Sequence, residues 1–259
     1  MDRQLPDDVR RAWSYLPAAG ALDVLVVGGG PAGCAAAIAA ARDGARTLLV
    51  EQYGCLGGMG TAGLVPAFCP FTDREKPIIR GIGLEILEEM KAAMPHVARD
   101  SFDWVPIDAE ALKYIYERRV LASGAGVLYF THFVDVIRGP DGAVQAAVVH
   151  NKSGLQRIAA RVLVDATGDG DVATAAGAEF VKGDAETGDL QPCTMCFVLA
   201  GVDTARLHEF LYADNAKNLL LREVIARAKV AGDLNIVEEA ANVAIQSGST
   251  IGFNFSHVF

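Results

Sequence analysis

The chain is short of positive charge. Lys and Arg together number 23 against 32 Asp and Glu, giving a formal net charge of −9 and a pI near 5.0. A nucleic-acid surface needs clustered cations, so no nucleic-acid partner is expected. An anionic small ligand stays open, because oriented backbone N–H groups act locally whatever the net charge. Cysteine is scarce as well. Five in 259 residues do not make a disulfide framework, and reduced thiols in a cytoplasmic protein are the expectation. No apolar run approaches the roughly 20 residues of a membrane helix, so no membrane association is expected. The first twenty residues carry Asp2, Arg3, Asp7, Asp8, Arg10 and Arg11 without an apolar centre. They read as a short extension rather than a secretory signal.

What the chain has is apolar residues, 51% of the total, and 27 glycines. A chain of this length holds one or two domains. The glycines are not spread evenly. Val24–Val27 reads as a buried parallel strand that runs into Gly28-Gly29-Gly30, and Pro31 then opens an Ala-rich helix reaching about Asp43. In this pattern Gly28 permits a sharp turn and Gly30 keeps bulk away from an approaching phosphate. Gly33 lets the helix pack closely on the strand. The free N–H groups in the first turn of that helix, which opens with Pro31 and Ala32, face a pyrophosphate. A second apolar run, 47–50, ends in Glu51, placed to accept hydrogen bonds from the two ribose hydroxyls of an adenosine.

Five glycines between Tyr53 and Pro66 exclude a stable helix or central strand there. The apolar run Leu64–Phe68 makes a mobile surface loop a poor account, and a loop covering a ligand is the expectation. Helical spacing follows over Gly83–Met94 and again from Asp108, an N-cap, to a stop at Gly124. Strands are expected at Gly126–Phe130, Phe133–Ile137, Val144–His150 and Arg157–Ala159, the last three forming an antiparallel meander. Arg161–Asp165 is a further buried strand, ending in the small-residue turn Ala166-Thr167-Gly168-Asp169-Gly170-Asp171, a second phosphate-side turn on the same face as the first. Beyond Phe180 come a polar stretch, a strand-like Thr194–Leu199, a helix over Arg206–Ala231, and a loosely alternating Ser247–Phe259.

Val24–Ala37, Glu51, the 56–63 glycine loop and Val164–Asp171 together resemble the FAD-dependent oxidoreductases, within the glutathione-reductase-like flavoproteins and the branch related to fumarate reductase and succinate dehydrogenase flavoproteins. The resemblance covers about residues 21–205. It implies an α/β fold: a Rossmann-like FAD-binding domain, a parallel sheet with a β-meander insertion, over 21–181, after an extension at 1–20. A partial α+β substrate domain would occupy 182–259. It implies FAD, with Gly28, Gly30 and Gly33 at the pyrophosphate, Glu51 at the ribose and Gln52 beside the adenine. Gly57, Gly58, Thr61 and Gly63 would approach the pyrophosphate, ribityl chain or flavin. Val134 would present backbone to the adenine, and Thr167, Gly168 and Asp169 would close over the cofactor's middle. Relatives that attach flavin covalently use a histidine in the second glycine loop. None of the five histidines here falls in it, so FAD is expected to be bound non-covalently. Family members also continue well past this length, which makes the chain look truncated.

The reaction this implies is hydride transfer between an unidentified small organic substrate and FAD, with no catalytic acid or base assignable. The alternatives are a chain holding FAD or its ADP half without turnover, and an NAD(P)-dependent dehydrogenase. A flavin enzyme acting on tRNA is disfavoured by the acidic balance. A homo-oligomer is allowed. Cys193-Thr-Met-Cys196 has redox and metal spacing, yet it stands alone, so structural cysteines are expected and no metal. Cys55, in the flavin loop, lacks a partner thiol nearby. Asp165, Asp169 and Asp171 fit strand-end and N-cap roles. Phe68, Phe71, Phe102 and Trp104 fit either a flavin-covering group or an ordinary core.

Overall fold

The structure is a computed structural model and describes residues 18–216 and 218–258. Most of the expected extension, residues 1–17, lies outside the described residues, as does Phe259. The described residues cluster into two compact units, the first built from residues up to Gly58 and from Lys113–Phe180, the second from Met59–Leu112 and Val181 onward. Met59–Leu112 thus clusters with the residues after Phe180.

The first unit is organised by one six-stranded sheet. Its strands are β1 (Ala18–Val27), β2 (Thr47–Val50), β3 (Gly126–Leu128), β4 (His132–Arg138), β5 (Val144–Asn151) and β6 (Gly154–Asp165), in the order β3-β2-β1-β6-β5-β4. The first four in that order run parallel, and β6, β5 and β4 form the antiparallel meander. β1 begins at Ala18, inside the expected extension, because Ala18 and Ala19 pair with Arg157 and Ile158. The two strands expected at Arg157–Ala159 and Arg161–Asp165 are one. The first half of β6 pairs with both β5 and β1, and its second half continues along β1 alone. Leu25, Val27, Val50, Val136, Ala147, Val149, Ile158 and Val172 form its core cluster. Burying each Val, Leu or Ile among them stabilises the fold by roughly 1.5–3 kcal/mol.

Helix α1 (Pro31–Arg42) follows β1 and buries Gly33, Cys34, Ala37 and Ile38. The small residues Gly33, Cys34 and Ala37 on this face let the helix lie close to the strands, with Ile38 packed beside them. In the second unit, α2 (Ile82–Ala93) buries Ile86, Leu87 and Met90, with Lys91 fully buried beside them. The Lys91 ammonium donates to the carbonyls of Arg99 (2.6 Å) and Ser101 (3.2 Å), pairs with Glu88 and sits 4.1 Å from the Phe102 ring centroid. Helix α3 (Ala109–Ala122) starts at Asp108, whose Oδ1 accepts from the N–H groups of Glu110 and Ala111, and Gly124 (φ +93°) follows its end.

Two elements of the second unit differ from expectation. The strand-like 194–199 splits into β7 (Cys193–Thr194) and β8 (Phe197–Ala200). β8 pairs with β10 (Thr250–Asn254), itself paired with β9 (Asn242–Ile245), and β7 pairs separately with β11 (His257–Val258). The helix expected over 206–231 is interrupted: α5 (Thr204–Ala216) and α6 (Arg222–Ala231) are joined through Leu221, whose φ of +52° cannot continue a right-handed helix. Asn218 stabilises the break by donating its side-chain amide to the Phe210 carbonyl at 2.9 Å.

Candidate functional site

The parallel strands set one rim. Val27 lies beside Val50 and Asp165, and Val50 beside Leu128, so the chain leaves β1, β2 and β6 at the same carboxyl edge. Gly28 and Ala166 start from adjacent strand ends, and the Ala166 N–H donates to the Val27 carbonyl at 2.8 Å. Ligands of open α/β sheets bind at such a carboxyl edge, where strand order reverses. The two glycine-bearing turns, far apart in sequence, therefore meet.

Three glycines of the first turn are glycine for different reasons. Gly28 has φ +101°, and a Cβ on it would run into the Ala166 carbonyl oxygen. A Cβ on Gly33 would collide with the Gly28 carbonyl oxygen. Gly30 is otherwise. Its φ of −69° and ψ of −176° suit any residue, and a Cβ there would meet nothing within 4 Å. The fold imposes no glycine at this position. Gly30 is also the N-cap of α1, which has no side-chain cap and carries Pro31 in its first turn. A clear space in front of an uncapped helix N-terminus, kept clear by a glycine the backbone does not need, fits a phosphate.

Glu51 is 6% exposed. Its Oε2 accepts from the Gly29 N–H at 2.6 Å and its Oε1 from the Tyr53 N–H at 2.7 Å. The carboxylate thus ties the end of β2 to the glycine turn, and each oxygen keeps a lone pair for a further donor. Gly29, which spacing alone did not single out, is indispensable here, because a Cβ on it would lie 2.6 Å from Leu56 Cδ2 and 2.8 Å from Glu51 Oε2. The signal available in the sequence was the unbroken glycine triplet. Gly57 donates to the Gly29 carbonyl at 2.8 Å, and a Cβ on Gly58 would be 3.0 Å from Gly30 Cα. The 57–58 turn therefore leans on the first one. Gln52 is exposed beside Glu51.

The second turn is built by Asp165. Its Oδ1 accepts from the Thr167 N–H (3.1 Å) and hydroxyl (2.7 Å), and its Oδ2 from the Ala173 N–H (2.8 Å) at the start of α4 (Asp171–Ala175). Burial works to raise this carboxyl, but the N–H groups of Ala173, Thr167 and Val172 and the Thr167 hydroxyl outweigh it and hold it below the usual range. The Thr167 hydroxyl also accepts from the Asp171 N–H at 2.9 Å, so backbone is what this turn offers outward. Asp165 has the expected strand-end role. The N-cap of α4 is Gly170 in the left-handed region, so the helix starts at Asp171 without a carboxylate cap. Gly168 has φ +93° with open space where a Cβ would be. Val134 falls in a β-bulge: pairing jumps from Phe133↔Val149 to Asp135↔Val148, which leaves its backbone out of the ladder.

Thr61 and Gly63 belong to the second unit. Thr61 is fully buried, and a Cβ on Gly63 would meet the Met59 backbone at 2.9 Å. Phe68 and Phe71 pack edge to face at 5.8 Å, and Trp104 is largely exposed at φ +47°. All five cysteines are free. Cys34 is fully buried and donates to the Gly29 carbonyl at 3.2 Å, and burial pushes its thiol up to about 12. It is a packing residue. Cys193 is exposed and Cys196 half-buried, and no group of metal-ligating side chains occurs among the described residues.

Residues 23–251 match the model of a protein family described as FAD dependent oxidoreductase. The chain belongs to that family. FAD is its cofactor, and the α/β architecture with a mainly parallel sheet is the family's. The chain is 32% identical over 163 residues to the glutathione reductase of Schizosaccharomyces pombe, covering 59% of this chain and 32% of that protein. It is 35% identical over 189 residues to the thiamine thiazole synthase of Aeropyrum pernix, covering 66% of this chain and 62% of that one. It spans less than two thirds of either relative. The anhydrotetracycline hydroxylase of Streptomyces rimosus superposes with a TM-score of 0.53 at 15% identity, over 92% of this chain and 46% of that one, a likeness of fold alone.

Proposed function

We propose that the chain is the FAD-holding part of an oxidoreductase that passes hydride between a small organic substrate and non-covalently bound FAD. The observation that carries this is Gly30, a glycine that the fold does not require, at an uncapped helix N-terminus on the rim shared by both turns. When bound, FAD would supply the hydride chemistry, which no side chain can perform. The chain's own part is to bind and orient. The backbone N–H groups after Gly30, at Ala32 and Gly33, take the pyrophosphate charge. Glu51, already oriented by Gly29 and Tyr53, accepts the ribose hydroxyls with its remaining lone pairs. Gln52 and the bulged backbone at Val134 serve the adenine. Gly57, Gly58, Thr167, Gly168 and Asp169 offer backbone to the middle of the cofactor, and Thr61 and Gly63 are assigned from the resemblance of their loop. Residues 21–181 are read as the FAD-binding domain and 182–259 as part of a substrate domain. Five free thiols support a reducing, cytoplasmic setting. No helix among the described residues is long and apolar enough to cross a membrane.

A second reading of the same rim, to which no catalytic acid or base is assigned, is a chain that holds FAD or its ADP half without turnover. Titrating stripped protein with FAD, ADP and NAD, then following anaerobic photoreduction and reoxidation, separates these. Tight FAD binding with substrate-dependent bleaching supports the first reading. Equal affinity for ADP and FAD with no bleaching supports the second, and preference for NAD defeats both.

A further inference from the structure

The two histidines of the first unit stand directly opposite each other. His132 opens β4 and pairs with His150, near the end of β5. Directly opposed residues of an antiparallel pair put their side chains on one face, with Cβ atoms about 4.5–5.5 Å apart. Both histidines are exposed, and neither imidazole has a hydrogen bond or ion pair among the described residues. The register is pinned one step along each chain, by Thr131 and Asn151 on the other face. The Asn151 side-chain amide donates to the Thr131 hydroxyl at 3.3 Å. That hydroxyl donates to the Tyr129 carbonyl at 2.9 Å, and the Thr131 N–H donates to the Glu51 carbonyl at 3.0 Å. Asn151 Oδ1 in turn accepts from the Ser153 N–H at 2.9 Å. A slip in register would break these bonds, so the two rings stay side by side.

This spacing suits a metal ion. Two Zn–N bonds of about 2.0–2.1 Å at a tetrahedral angle hold their nitrogens about 3.4 Å apart. Exposed imidazoles on Cβ atoms so spaced reach that separation by rotating about χ1 and χ2. The surroundings decide the class of ion. No carboxylate lies within two residues of either histidine, or at Gly154, Leu155 and Gln156 beside the end of β5. Ca²⁺ and Mg²⁺, which take oxygen ligands, find none here. Lys152, in the turn after β5, adds a positive charge, which weighs against a site held by charge alone. Ions that bond to imidazole nitrogen, such as Zn²⁺, Ni²⁺ and Cu²⁺, are the class that fits. Two ligands fall short of a closed structural site, and no group of three or more occurs among the described residues. Water would complete the shell.

We propose that His132 and His150 together bind one divalent transition-metal ion, clipping β4 to β5 where the meander begins. The inference does not depend on the nucleotide site. The test follows the ring resonances of both histidines in the full, histidine-labelled chain by NMR during titration with Zn²⁺, with Mg²⁺ as the control. The two rings should shift together along one saturating curve, at one ion per pair, and Mg²⁺ should move neither. The rings of His96, His208 and His257, all in the second unit, report binding elsewhere in the same spectra. His132→Gln and His150→Gln each remove one ligand from an exposed position. Each should weaken Zn²⁺ at the remaining ring by about tenfold or more, because the second bond of a linked pair forms at high effective concentration. Absence of a saturable shift at either ring, separate midpoints for the two rings, an equal response to Mg²⁺, or an unchanged affinity in either variant overturns the proposal.

Discussion

Gly30→Val adds three carbons at a point where the protein itself leaves open space. The backbone angles of φ −69° and ψ −176° suit valine, so the folded chain has little to resist. Exchanging an N-cap glycine for an aliphatic residue costs at most about 1 kcal/mol, and the stiffer unfolded chain offsets part of that. For a chain of this size, that is a Tm shift of about 2–4 °C at most. Binding should suffer far more. Each charge-assisted hydrogen bond from the helix N-terminus to a phosphate is worth roughly 1.5–3 kcal/mol, so losing even one weakens FAD about ten- to hundredfold. Flavin fluorescence quenching on stripped protein gives the Kd, and thermal unfolding of the same samples gives the stability. A variant that binds FAD like the wild type would refute the reasoning. So would one that fails to fold, because the space around Gly30 would then not be free.

Glu51→Gln should lower the stability of the cofactor-free protein by about 2 kcal/mol, since one of two charge-assisted backbone bonds becomes a clash of donors; a Tm within 1–2 °C of wild type would contradict it. Asp165 has a lowered carboxyl in the folded state, so its contribution is present above the ordinary carboxylate value of about 3.9 and is lost as pH falls below it. Asp165→Asn should therefore flatten part of the acid limb of a stability–pH profile, and an unchanged profile would count against the network. Cys34, buried and raised to about 12, should stay unlabelled by iodoacetamide in the native chain at pH 8 while Cys69 and Cys193, both exposed, react. Early labelling of Cys34 by peptide mass mapping would show that α1 opens.

Local signals made the first unit readable. A four-residue apolar run, three glycines and an Ala-rich stretch each restrict the backbone over a few residues, and the strand, turn and helix follow them. Asp108 as a helix cap was legible for the same reason. What the sequence hid was decided at a distance. β6 reads as two strands because Arg157 and Arg161 interrupt its apolar pattern, yet pairing along β1 keeps it extended. Leu219, Leu220 and Leu221 carry helical hydrophobicity across a break that Asn218 and the left-handed Leu221 impose. The split between β7 and β8 depends on β11 and β10, about 60 residues later. Within the site, the glycine roles of 28 and 33 followed from spacing. Gly29 and the double engagement of Glu51 needed three-dimensional contacts to appear.

The claim that the two turns hold a single flavin nucleotide is tested most directly by the absorption spectrum of the chain after incubation with FAD and desalting, with mass spectrometry of whatever small molecule it releases on denaturation. The account predicts flavin absorption bands and a released mass equal to FAD, the latter also establishing that no covalent bond forms. A colourless folded protein that releases no flavin, or one that releases a nicotinamide nucleotide instead, would contradict it.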